Sequence, residues 1–384
     1  MYILILISFL SSDTFKLKEA INLVVKRNLE IKSYYENFRE VNSKFLSSFL
    51  PQNPRITYRE MFMEENLGIG VEIKIPTKLL TKGLMVKDES KRNFYLYNAK
   101  ILEIIRMVKE IYYDYFLFSK KTQVAKEIID LLENMKEFIK SKYKTGVDMF
   151  RDYLSIEVEI EKMKNNFKIF KAEKKNLLFS LNSLLNLEIN EFIPEEVELD
   201  KKELNIDSLI KIFEERNPIL KVYENEVKMK NKEKIMAIQD LFPDIMPEIL
   251  LNTQTGEKKF ALSLEIPIFF LHEIGKIKEK SASFKKSKFE EMNIKVKLKE
   301  ELKGLYYDYL AKLEKYKLYK EIVLPKQEAI LKRSEAGYIT GELDILIYIE
   351  SEKMFYEAKI EYFESLVEVL KTSSKIEEII GGEL

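Results

Sequence analysis

The chain has 384 residues, of which only 11 are glycine and 9 are proline. Average usage would put these two at about 12% of a chain, so loops are scarce and long regular elements must fill the length. The 64 basic side chains balance 64 acidic ones, which removes the basic excess that nucleic-acid binding by counterion release requires. With no cysteine and one histidine, His272, disulfides, thiolate zinc sites, cysteine nucleophiles and histidine-based triads are excluded.

Residues 1–10 form an uncharged apolar run followed by Ser11, Ser12 and Asp13. The run is shorter than the roughly 20 residues of a transmembrane helix. It suits the apolar part of a secretory signal over 1–14, although the usual basic start is missing; a buried strand is the alternative. No later stretch is long and apolar enough to predict a spanning helix.

A helix is expected over 16–49, ended by the breaker segment Pro51-Gln52-Asn53-Pro54. Two strand-like runs follow. In the second of them Leu67, Ile69, Val71, Ile73 and Ile75 alternate with Gly68, Gly70, Glu72 and Lys74, and period two puts every apolar side chain on one face. Residues 55–63 are the partner strand, with Glu64-Glu65-Asn66 as the connection. A long helix is then predicted over about 84–143, with Ile101, Ile104, Ile105, Val108, Ile111, Tyr112 and Tyr115 at spacings of three and four. After a glycine turn at Gly146, a second helix returns over 149–185.

The same order recurs. Tyr112-Tyr113-Asp114-Tyr115 reappears 194 residues later as Tyr306-Tyr307-Asp308-Tyr309. Tyr143–Gly146 is echoed at Tyr338–Gly341, Arg27-Asn28 at Arg216-Asn217, Leu50-Pro51 at Phe242-Pro243, and Ile75-Pro76 at Ile266-Pro267. Several matches in one order at nearly constant spacing indicate a duplicated unit. The first copy is placed at 15–190, a linker at 191–205 and the second copy at 206–384. Within the second copy a helix is expected over 206–241, a hairpin built on 246–254 and on the alternating run Phe260, Leu262, Leu264, Ile266, joined by Thr255-Gly256-Glu257, then helices over 274–336 and 343–380. Pro325 predicts a kink or break in the helix over 274–336. Sixty helical residues reach roughly 90 Å.

The fold class is therefore mainly α with a small β part: long antiparallel coiled-coil helices plus two β-hairpins per chain. With about nine to eleven residues per strand, the hairpins are long enough to cross a bilayer when tilted. Four strands cannot close a barrel, and open edges cannot face lipid. Several chains must then contribute, and three would supply twelve strands. A small soluble sheet capping a helical bundle is the alternative.

This pattern resembles the TolC-like outer-membrane efflux protein family over nearly the whole chain. The likeness is carried by Arg27-Asn28, by Arg216-Asn217-Pro218, and by Leu241-Phe242-Pro243-Asp244. It is carried further by Glu265-Ile266-Pro267-Ile268-Phe269 with Gly275-Lys276-Ile277, and by Tyr338 to Leu346 leading into Glu357-Ala358. The resemblance implies a homotrimer whose helices form an α-helical barrel in the periplasm, continued by a twelve-stranded β-barrel in outer-membrane lipid. It implies a passive export conduit that docks with a periplasmic adaptor and an inner-membrane pump. The helical turns at Gly146, Val147 and Asp148 and at Gly341, Glu342 and Leu343 are then the adaptor-facing tips. Asp344 and Glu350 are candidates for a periplasmic gate, with ordinary solvated helix charge as the other reading. A soluble coiled-coil scaffold and a periplasmic adaptor are the rival functions. No phosphate loop, serine elbow or metal cluster is apparent, so no catalytic, cofactor or metal residues are assigned; His272 reads as structural or interfacial.

Overall fold

The computed structural model describes residues 14–50, 53–61, 64–71, 76–144, 149–199, 204–265 and 270–384. Two compact units make up the chain: one holds residues 1–29, 101–213 and 301–384, the other 30–100 and 214–300. Each unit draws on both halves of the sequence.

The second unit contains a four-stranded antiparallel sheet in the order β2-β3-β5-β6. Strands β2 (Arg55–Met61) and β3 (Glu64–Gly70) form one hairpin, and β5 (Asp244–Asn252) and β6 (Lys258–Glu265) the other. They meet through β3 and β5, with Ile69 opposite Ile249. One expectation is corrected here. Glu64, Glu65 and Asn66 lie in β3, paired with Met61, Glu60 and Arg59, and so belong to a strand and not to the connection their polarity suggested. The four strands have 7, 7, 9 and 8 described residues; the expected strand ends at 62–63, 72–75 and 266 lie outside the described residues.

The expected single helices at 16–49 and 206–241 are each broken. The first becomes α1 (Leu17–Arg27) and α2 (Leu29–Ser48), the second α5 (Ile206–Arg216) and α6 (Pro218–Gln239). Asn217 caps α6: its side chain accepts from the Leu220 N–H at 2.8 Å, and Pro218 takes the first helical position, where no N–H is needed. Asn28 has extended ψ and donates its amide to the Leu184 carbonyl at 2.9 Å. The Arg-Asn pair that marks both sequence copies is a helix break in both.

Helix α3 (Pro76–Lys144) runs 69 residues and is followed by α4 (Phe150–Leu185). The second-half counterpart is α7 (Phe270–Leu318), a π turn (Tyr319–Val323), α8 (Leu324–Thr340) and then α9 (Ile345–Ile380). The break expected at Pro325 takes the form of this π turn. Proline offers no N–H and its ring crowds the carbonyl four residues back; one extra residue in the preceding turn relieves both, with Leu324 N–H bonding the Tyr319 carbonyl.

In the second unit, Gly83 on α3 admits the ring of Phe49, the residue after α2, which would lie 2.1 Å from any Cβ there. Lys78 Nζ, nearly buried, donates to Asp244 and to the Phe242 carbonyl, each at 2.9 Å, and so fixes the Phe242-Pro243-Asp244 junction. In the first unit, two-residue strands β1 (Thr14–Phe15) and β4 (Ile193–Pro194) pair in parallel, a contact the sequence did not suggest. The first tyrosine motif holds them. Tyr112 donates to the Phe15 carbonyl at 2.6 Å and accepts from Glu195 N–H, and Tyr115 bonds both backbone groups of Phe192. Burial pushes both phenols up to about 12.

Candidate functional site

Two regions bear on function, one in each unit. In the first unit, α3, α4, α8 and α9 share an apolar core that includes Leu132, Ile139, Ile156, Ile160, Leu331 and Tyr348. The α8–α9 turn closes one side of it. Gly341 adopts φ +79°, a left-handed conformation that glycine enters without strain. The N–H groups of Glu342 and Leu343 then both bond the Gly337 carbonyl, at 2.8 and 3.1 Å. Leu343 folds back over Gly337, where a Cβ would lie 2.6 Å from the leucine Cδ1.

Glu342 is exposed and pairs with Arg333 at 3.3 Å. Asp344 is the N-cap of α9, accepting from Leu346 N–H at 2.8 Å, and Arg151 of α4 lies 3.9 Å away. Glu350 is exposed on α9. Six residues separate it from Asp344, a rotation of roughly 240°, so the two lie on different faces of the helix. Gly146, Val147 and Asp148 fall outside the described residues.

The second hairpin is tied to α4 by a contact the sequence reading missed. Tyr338 of α8 donates to Asp152 at 3.2 Å, and its ring stacks on Tyr348. Burial, with the Asp152 charge second, holds the Tyr338 phenol well above its ordinary range. The available signal was positional: Arg151 and Asp152 follow the first turn as Asp344 follows the second. Also missed was Glu352, 1% exposed on α9. Burial, followed by the Glu159 charge, pushes its carboxyl up to about 8.

In the second unit the sheet has two unlike faces. Ile56, Ile69, Ile249 and Phe260 form one cross-strand row. These four are 53–73% exposed. Tyr58, Leu67, Ile245, Leu262 and Leu264 lie on the same face and are also exposed. The opposite face is polar and close-packed. Thr57 donates to Glu248, which is buried over Gly68 and Gly70. A Cβ at Gly68 would lie 2.5 Å from both the Thr57 hydroxyl and the Glu248 carboxylate. A water-soluble sheet would place these faces the other way round. The outer strands β2 and β6 have no further partner strand among the described residues.

No helix among the described residues is long and apolar enough to cross a membrane. His272 is exposed in the first turn of α7, and no group of three or more possible metal ligands occurs among the described residues.

No protein-family model and no curated protein sequence matches the chain. Solved structures do match. The open state of the MtrE outer-membrane channel of Neisseria gonorrhoeae superposes with a TM-score of 0.80 at 15% identity, covering 95% of this chain and 89% of that one. The CmeC outer-membrane channel of Campylobacter jejuni gives 0.80 at 15% identity, over 95% and 85%. The outer-membrane protein VceC of Vibrio cholerae gives 0.80 at 10% identity, over 96% of each chain. The chain has the fold of these outer-membrane channels. At this identity the likeness lies in the fold, and it agrees with the resemblance to the TolC-like family drawn from the duplicated motifs.

Proposed function

We propose that this protein is the outer-membrane channel subunit of a tripartite efflux or type I secretion system, a passive conduit without catalytic activity. The observation that carries this reading is the inverted sheet, apolar side chains exposed and polar ones packed inward, with two edges available for pairing. An open edge in lipid leaves N–H and C=O groups unsatisfied at a cost of several kcal/mol each. Pairing β6 of one copy with β2 of the next removes the edges, and three copies close a twelve-stranded barrel in the size range of known membrane barrels. The helices of the homotrimer then form a periplasmic α-helical barrel.

Residues 15–190 and 206–384 act as two structural repeats joined by 191–205, and 1–14 serves as an export signal. The turns at Gly146, Val147 and Asp148 and at Gly341, Glu342 and Leu343 face a periplasmic adaptor, which links the duct to an inner-membrane pump. Asp344 and Glu350 take part in a periplasmic gate. The fold shared with MtrE, CmeC and VceC supports the channel reading over a soluble scaffold or an adaptor. The test is extraction from outer-membrane vesicles, mass determination in detergent and conductance in a planar bilayer. A trimer with discrete conductance steps is expected; a monomer that leaves the membrane with a salt wash overturns the reading.

A further inference from the structure

Glu352 is unusual for a carboxylate. It is 1% exposed, and neither of its oxygens has a hydrogen-bond partner among the described residues. The Tyr348 hydroxyl, one turn earlier on the same face of α9, is fully buried and also unpartnered. Nearby on the α8–α9 seam, Ser334 and Ser351 bond each other at 2.7 Å, so the local hydroxyls are already engaged. Ile349, Phe355 and Tyr356 flank Glu352 on α9 and pack against the shared apolar core.

Among the described residues, no cation acts on Glu352. From α4, Glu159 acts on Glu352, and Glu159 is itself paired with Lys162 at 3.1 Å. From α8, Glu335 acts on Tyr348. On α9 itself, Tyr348 and Tyr356 feel the Glu352 charge. On α3, Glu133 and Lys136 are taken up by Lys164 and Glu157 of α4. A carboxylate in this place would be a lone buried anion beside another acid, which costs far more than a neutral acid does.

We propose that Glu352 is a proton-controlled latch: as the neutral acid it holds α9 against α4 and α8, and release of its proton to solvent frees this stretch of helix. The sign follows from linkage. The closed hairpin holds the proton up to about pH 8, whereas an opened, hydrated Glu352 loses it near the ordinary glutamate value of 4.5. The closed state is therefore fully favoured below about pH 4.5, loses ground steadily up to about pH 8, and is flat beyond. The latch belongs to the hairpin and does not rest on the channel reading.

Hydrogen exchange of the full chain in detergent, from about pH 5 to pH 9.5 and corrected for intrinsic exchange, tests this. For amides around Tyr348–Tyr356 the opening constant should rise up to about tenfold per pH unit and level off near pH 8. Glu352→Gln should flatten the profile at the low-pH, protected level. Glu159→Gln should leave the slope and bring the plateau to lower pH. A flat wild-type profile overturns the proposal even if Glu352→Gln fails to fold. So does an unaltered slope in Glu352→Gln, or an unmoved plateau in Glu159→Gln.

Discussion

Helix α3 runs from Pro76 to Lys144 without interruption, whereas its second-half counterpart carries a π turn at Tyr319–Val323 and Pro325 directly after it. The two returning helices differ as well. Buried residues of α4 are apolar, while α9 buries Ser351, Glu352 and Thr372 and leaves Glu352 unpaired. The two tyrosine motifs part in the same way. Tyr112 and Tyr115 pin the β1 and β4 strands, whereas Tyr306, the counterpart of Tyr112, makes a 3.3 Å bond to the Leu204 carbonyl, and Tyr307 is exposed where Tyr113 is buried. Duplicated sequence thus supports unlike hairpins. The first has uninterrupted helices and apolar buried faces on α4; the second collects the irregular turn, the orphan carboxyl and the polar tie from Tyr338 to α4. Segments that move are drawn from the less stable parts of a fold, and here those lie in the second half.

The contrast is most sharply broken by shifting helical register. A π turn is one residue more than an α-helix needs. Deleting Lys320 together with Pro325→Ala should therefore heal the helix and keep Leu331 and Tyr338 facing the core. Deleting Lys126, the matching position of α3, turns everything beyond it by roughly 100°. Ile128, Leu132 and Ile139 would then leave the core, and thermal unfolding should show loss of the hairpin. Equal damage from both deletions would remove the distinction.

Tyr115→Phe strands both Phe192 backbone groups and should cost about 1–3 kcal/mol in denaturant unfolding. Tyr348→Phe removes a hydroxyl that has no partner and should be neutral or slightly stabilising. Asp344→Ala removes the α9 cap and should cost about 1 kcal/mol, seen as faster exchange in the first turn of α9. The exposed Arg333–Glu342 pair should matter least, with Arg333→Ala within about 0.5 kcal/mol of the parent.

Much of this was legible in the sequence. Period-two alternation at Leu67–Ile69 and Phe260–Leu264 located β3 and β6, and helical spacing located α3, α4 and α9. The helix breaks at Asn28 and Asn217 were not, because apolar periodicity continues across them and the decisive bonds come from single asparagine side chains. The β1–β4 pair is two residues long, below any pattern. Glu64 to Asn66 read as a turn because they are polar, yet a strand with a wet face also carries polar residues. Glu352 was invisible for a similar reason: in a chain with so many charged helix positions, one more glutamate reads as surface.

The chain has no native cysteine, so single cysteines can be placed along β5 and β6 without background. The central claim, that the exposed apolar face meets lipid, predicts alternation. Probes at Ile249, Phe260 and Leu262 should be quenched by a lipid-soluble quencher and shielded from aqueous thiol reagents. Probes at Leu250, Ala261 and Ser263 should do neither. Uniform aqueous labelling at all six positions in membrane preparations would contradict it.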